Sequence, residues 1–197
     1  MKQLNGYEKA EIITSAPSAL PKGGYIAKIE SCEEVHGEKN GKQYNYLAFY
    51  FDIAEGEHKG HFAELYKIAP LETRKWRGFY NYFLPDEGSE YYEQNLNRFK
   101  TVIANFEESN PGFHFDWDET KFKGKMIGIL FREKEFITND GEIKVTTEPC
   151  GFRSVETIKK GNYRIPMKRA LPNSSTQAPA IDTETFMPVE EAKIPWD

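Results

Sequence analysis

The chain has 197 residues, 39% of them hydrophobic and 29% charged, and a formal net charge of −5. That length suits one domain with appendages, and no apolar run approaches the ~20 residues that a membrane-spanning helix needs. The opening Met1-Lys-Gln-Leu-Asn-Gly6 lacks the apolar stretch of a signal peptide, and Cys32 and Cys150 stand far apart, so the expectation is a cytoplasmic protein with two free thiols. The acid is concentrated at one end. In 171–197, Asp182, Glu184, Glu190, Glu191 and Asp197 stand against Lys193 alone. The body is therefore close to neutral and can still carry a basic groove, because local field governs ligand attraction.

Residues 1–20 read as an arm with a short helix around Tyr7–Ile13. A turn at Lys22-Gly-Gly24 opens a first strand, Tyr25–Val35, whose imperfect alternation predicts a bulge. The run Tyr44–Ile53 is the clearest strand. It has no Pro or Gly, and its two parities separate cleanly. Leu47, Phe49, Phe51 and Ile53 form a core face, and Tyr44, Tyr46, Ala48, Tyr50 and Asp52 form a face of rings with polar tips. His61–Ile68 reads as a third strand, and Pro70–Gly88 as an aromatic, basic loop. Leu96, Phe99, Val102, Ile103 and Phe106 recur at helical spacing and predict a helix over Tyr91–Glu108. Strands over Met126–Phe136 and Ile143–Thr147 flank the turn signal Asn139-Asp-Gly141. Beyond Met167 no hydrophobic period survives, and 170–197 reads as disordered.

Three strands, one helix and two strands is the order of an oligonucleotide/oligosaccharide-binding (OB) barrel, mainly β, with five strands and its helix between the third and fourth. Another five-stranded α+β sheet has the same order. The division is an arm (1–20), an OB-type nucleic-acid-binding domain (21–169) and a flexible acidic tail (170–197).

An OB barrel binds around its second and third strands. Proteins that hold single-stranded nucleic acid stack bases on rings inside a basic groove. Tyr44, Tyr46 and Tyr50 are the candidate rings on the second strand, and Lys39 and Lys42 in the turn before it are candidates for phosphate. Tyrosines also suit an ordinary exposed strand face. Arg74, Lys75, Trp76 and Arg77, with Phe79, Tyr80 and Tyr82, read as a loop that closes on a nucleic-acid strand. Its plainer reading packs Trp76, Phe79 and Phe83 onto the barrel. Arg132 and Lys144 are further phosphate candidates, or ordinary cross-strand partners of carboxylates.

Enzyme chemistry finds little support. Asp140, Glu142 and Lys144 resemble the acid-and-lysine set of metal-dependent nucleases, but Asp140 lies in the Asn-Asp-Gly turn, where it serves turn geometry. His36, His58, His61 and His114 are scattered, neither cysteine has a zinc-site spacing, and no phosphate-cradling loop or nucleophile motif occurs. The expectation is no catalytic residue, no metal and no cofactor.

Two resemblances bear on function. Glu190-Glu-Ala-Lys-Ile-Pro-Trp-Asp197 resembles the acidic C-terminal tip of bacterial and phage single-stranded DNA-binding proteins. Here Trp196 stands in place of Phe, Asp197 follows the ring, and Lys193 interrupts the acids. The likeness implies a partner-binding tether, with Glu190, Glu191 and Asp197 steering Ile194, Pro195 and Trp196 into a pocket on a replication or recombination protein. In the body, Phe99–Phe113, Phe122-Lys-Gly-Lys125, Gly128–Glu135 and Phe152-Arg-Ser-Val155 look like a family of small proteins in phage and mobile-element replication modules of Gram-positive bacteria. The likeness runs from about Leu20 to Pro166. It implies a single-stranded DNA-binding protein in the bacterial cytoplasm and assigns no site residue. The expected function is therefore to coat single-stranded DNA with little sequence preference, with self-association left open. The rivals are an OB-like protein adaptor and, less favoured, the nuclease.

Overall fold

The computed structural model describes residues 19–39 and 42–171. Its framework is a five-stranded antiparallel sheet formed by β1 (Gly23–Lys39), β2 (Lys42–Ile53), β3 (Phe79–Phe83), β4 (Met126–Ile137) and β5 (Ile143–Arg153), in the order β3-β2-β1-β4-β5. Among the described residues, three α-helices decorate it: α1 (His61–Ile68), α2 (Tyr92–Ser109) between β3 and β4, and α3 (Val155–Lys159). Among the described residues, no helix is long and apolar enough to cross a membrane.

The alternation read in β2 sets the core. Leu47, Phe49, Phe51 and Ile53 are all buried, and they meet Ile29, Ile127, Ile129, Phe131 and Phe152 from the neighbouring strands. The stripe of α2 lays Phe99, Val102 and Phe106 over one end of this core. Phe106 lies 4.7 Å from Phe122 and 5.7 Å from Phe49, ring centroid to ring centroid. The irregularity expected in the first strand falls between Ile29 and Ser31, where the β1–β2 register shifts.

Two expectations are corrected. His61–Ile68 is a helix, not the third strand. Gly60 turns the chain with φ 77°, where a side chain would be strained. The Asp52 carboxylate then accepts from the Phe62 N–H at 2.9 Å and the Ala63 N–H at 3.1 Å, satisfying orphan donors of the first turn. Phe62 and Leu65, three apart, dock this short helix on the core. The third strand is instead β3, inside the run first taken for a closing loop.

The sheet is also not closed into a barrel. β3 spans five residues and ladders only with β2, leaving β3 and β5 as the two edges. The sheet curls far enough for those edges to meet through side chains, with the Tyr80 and Phe152 ring centroids 5.2 Å apart. Leu20, assigned above to the arm, is buried, and its carbonyl accepts from the Thr147 hydroxyl. At the other terminus, Arg169 bridges to Lys134 in parallel. Residues 1–18 of the arm, and the tail with Glu190, Glu191, Ile194, Pro195, Trp196 and Asp197, lie outside the described residues.

Candidate nucleic-acid interface

The face of β2 opposite the core is continued by its neighbours. Paired residues in an antiparallel ladder share a face. Tyr46 pairs with Phe83, Ala48 with Asn81 and Tyr50 with Phe79 on one side. On the other side, Gly37 pairs with Tyr44, Val35 with Tyr46 and Glu33 with Ala48. The outer face of β1-β2-β3 therefore carries Tyr44, Tyr46, Tyr50, Phe79 and Phe83 together. The Tyr44 and Tyr46 rings stack 6.1 Å apart at 20°, Phe83 lies 5.5 Å from Tyr46, and Phe79 lies 6.5 Å from Tyr50.

These rings differ in access. Tyr46 is only 2% exposed, while Tyr44 and Tyr50 are half-buried and Phe79 is 41% exposed. Burial, and then the neighbouring Tyr44, pushes the Tyr46 hydroxyl pKa up. Burial, then Glu33, then Tyr46 does the same at Tyr50. The Tyr46 and Tyr50 phenols therefore stay neutral at physiological pH, so each ring offers its π-face and a hydrogen-bonding tip without adding negative charge. Gly37 makes room for this arrangement: a Cβ there would sit 2.3 Å from the Tyr44 ring.

The segment leading into β3 alternates. Arg74 and Trp76 turn inward. The Arg74 guanidinium donates to the carbonyls of Ala69 (3.2 Å) and Lys67 (3.2 Å) and lies 5.2 Å from the centre of the Tyr66 ring. That is the usual service of a cation at a helix C-terminus, here the end of α1. The Trp76 indole N–H donates to the carbonyls of Gly78 at 3.0 Å and Phe51 at 3.2 Å. Both side chains are thus engaged with the fold. Lys75 and Arg77 turn outward: both are exposed, and neither joins an ion pair among the described residues. The outward series Lys75, Arg77, Phe79, Asn81, Phe83 thus runs beside the tyrosines.

The other candidates separate similarly. Lys39 and Lys42 pair in the register at the end of the β1–β2 hairpin. Tyr80 pairs with the core residue Phe49 and faces away from the outer tyrosine face, and burial pushes its pKa up to about 12. Arg132 sits opposite Glu148 and donates to it at 2.9 and 3.0 Å, while Lys144 pairs with Glu142 at 3.1 Å. Both are cross-strand or turn partners of carboxylates. Asp140 lies in the turn made by Gly141 at φ 81°. Among the described residues, no group of three His, Cys, Asp or Glu is placed to hold a metal ion. Phe83 is new to the site, and Phe79, expected in a closing loop, instead lies on the outer face of a strand. The signal was present, since period-two alternation from Lys75 to Phe83 puts both cations and both Phe rings on one side.

No protein-family model matches the chain, and no curated protein matches it either.

Proposed function

We propose that this chain is a non-enzymatic, OB-type single-stranded DNA-binding protein, and that the strand lies along the outer face of β1-β2-β3. The observation that carries the reading is the single outward row of Lys75, Arg77, Phe79 and Phe83 beside Tyr44 and Tyr50. It combines a stacking platform with phosphate-seeking cations, the two features that sequence-tolerant binding needs. The OB reading is supported by the strand order, by α2 lying between β3 and β4, and by the approach of β3 to β5. The half-buried Tyr44 and Tyr50 and the exposed Phe79 would stack on bases, Lys75 and Arg77 would take phosphates, and Lys39 and Lys42 would extend the cationic track. Tyr46 would support the platform from below. The reading includes membership of the phage and mobile-element replication family, work in the bacterial cytoplasm, and recruitment of replication or recombination proteins by the tip Glu190–Asp197.

The test is fluorescence polarisation with labelled oligo-dT and a matching duplex across a salt series. The single strand is expected to bind at micromolar protein or better at low salt, to be preferred over the duplex, and to weaken steeply as salt rises. Equal binding of the duplex, or no binding at low salt, would refute the reading and leave the protein-adaptor alternative.

A further inference from the structure

The hairpin of β4 and β5 extends beyond the core and carries an apolar strip on the same face. Ile137 and Ile143 are each 61% exposed and Val145 is 54% exposed. Ile137 pairs with Ile143, and Val145 with Glu135, so the three lie on one side of the hairpin. Among the described residues β5 ladders with β4 alone, and its other edge is open over Ile143–Glu148. An open edge bearing aliphatic side chains is a template for another strand unless Pro, Lys or a bulge blocks it. Here the one Lys of the stretch, Lys144, is tied to Glu142, and the first Pro is Pro149.

The hydrogen-bond phase fixes which groups are on offer. The Thr138 N–H donates to the Glu142 carbonyl at 2.9 Å. Bonded pairs alternate along an antiparallel ladder, so Phe136/Lys144, Lys134/Thr146 and Arg132/Glu148 are the bonded pairs. Ile143, Val145 and Thr147 therefore direct their N–H and C=O groups outward. We propose that this edge pairs antiparallel with the same edge of a second copy of the chain, about a two-fold axis at Val145.

That register sets Val145 against Val145 and Ile143 against Thr147, uses all three outward residues, and leaves Pro149, which has no N–H, outside the ladder. It joins the two apolar strips into one. It also sets Glu142 opposite the other copy's Glu148. Glu148 is already surrounded by Arg132 at 2.9 Å, Lys134 at 3.3 Å and Arg169 at 3.5 Å. Three cations around one carboxylate leave a positive surplus that the incoming Glu142 meets, so the charges are self-complementary.

Sedimentation of the full chain between roughly 1 and 200 μM tests the pairing. The expected result is a reversible dimer that Val145→Lys abolishes, by facing two cations across the axis, and that Glu142→Lys weakens most at low salt. Circular dichroism melts check that both variants fold. In Val145→Cys, mild oxidation is expected to yield a disulfide-linked dimer, because bonded partners stand within disulfide reach. A monomer at every concentration would overturn the proposal, as would a dimer untouched by Val145→Lys.

Discussion

Phe79 and Tyr46 occupy the same face and predict opposite outcomes. Phe79 is exposed and its ring closes no core, so Phe79→Ala is expected to leave the melting temperature within error. If it stacks on a base, the same change weakens oligo-dT binding by ~1–3 kcal/mol. Tyr46 is buried against Tyr44 and Phe83, so Tyr46→Ala is expected to destabilise the fold by about 3 kcal/mol in urea unfolding, as large-to-small buried changes do. The charged pair is read differently. If Lys75 and Arg77 each meet a phosphate, replacing both by alanine is expected to flatten the plot of log affinity against log salt by about 1.4, the single-strand value for two contacts. An unchanged slope would take these two residues out of the interface. At Gly37 a methyl group would press on the Tyr44 ring. Gly37→Ala is therefore expected to disturb DNA binding more than stability, because a surface ring gives way more readily than backbone.

At the scale of elements, the segment from Asp52 to Phe83 carries the most instructive physics. It holds α1 by a carboxylate from the end of β2, a cation from the segment before β3, and one close backbone approach. A Cβ on Gly78 would lie 2.2 Å from the Phe51 carbonyl and 2.6 Å from the Phe62 ring. Gly78→Ala is thus expected to cost about 1–3 kcal/mol by overpacking, and Asp52→Ala about 1 kcal/mol by uncapping α1, both measurable as lowered unfolding midpoints. This is also where sequence and structure part. β2 and α2 were legible because each shows one clean period over ten or more residues. His61–Ile68 has eight residues, too few for periodicity to separate helix from strand. Its deciding partner, Asp52, lies ten residues upstream. β3 was hidden in a run whose inward residues, Arg74 and Trp76, are the very types that suggest a nucleic-acid loop. Only the pattern of carbonyls waiting for them shows that they are structural.

For the whole molecule, the legible part was a mainly β chain of five strands with a helix between the third and fourth. The identity of the third strand and the open β3/β5 seam depend on long-range pairing that no local pattern encodes. The buried site beside α1 gives the molecule a pH dependence. Burial, and then nearby His58, pushes the His61 pKa below 6.5, against a smaller pull from Asp52 and Glu64. The unfolded chain then takes up the proton first as pH falls, so stability is full above about 6.5 and declines below it, down to the folded-state pKa. The melting temperature is expected to drop between about pH 7 and pH 5, and to drop less in His61→Gln. The outer β2–β3 face is proposed as a platform for single-stranded DNA. The most direct measurement compares oligo-dT polarisation of the native chain with that of a Tyr50→Ala/Phe79→Ala variant whose melting temperature is matched. A loss of about tenfold or more in affinity is expected; equal affinity of the two proteins would rule the platform out.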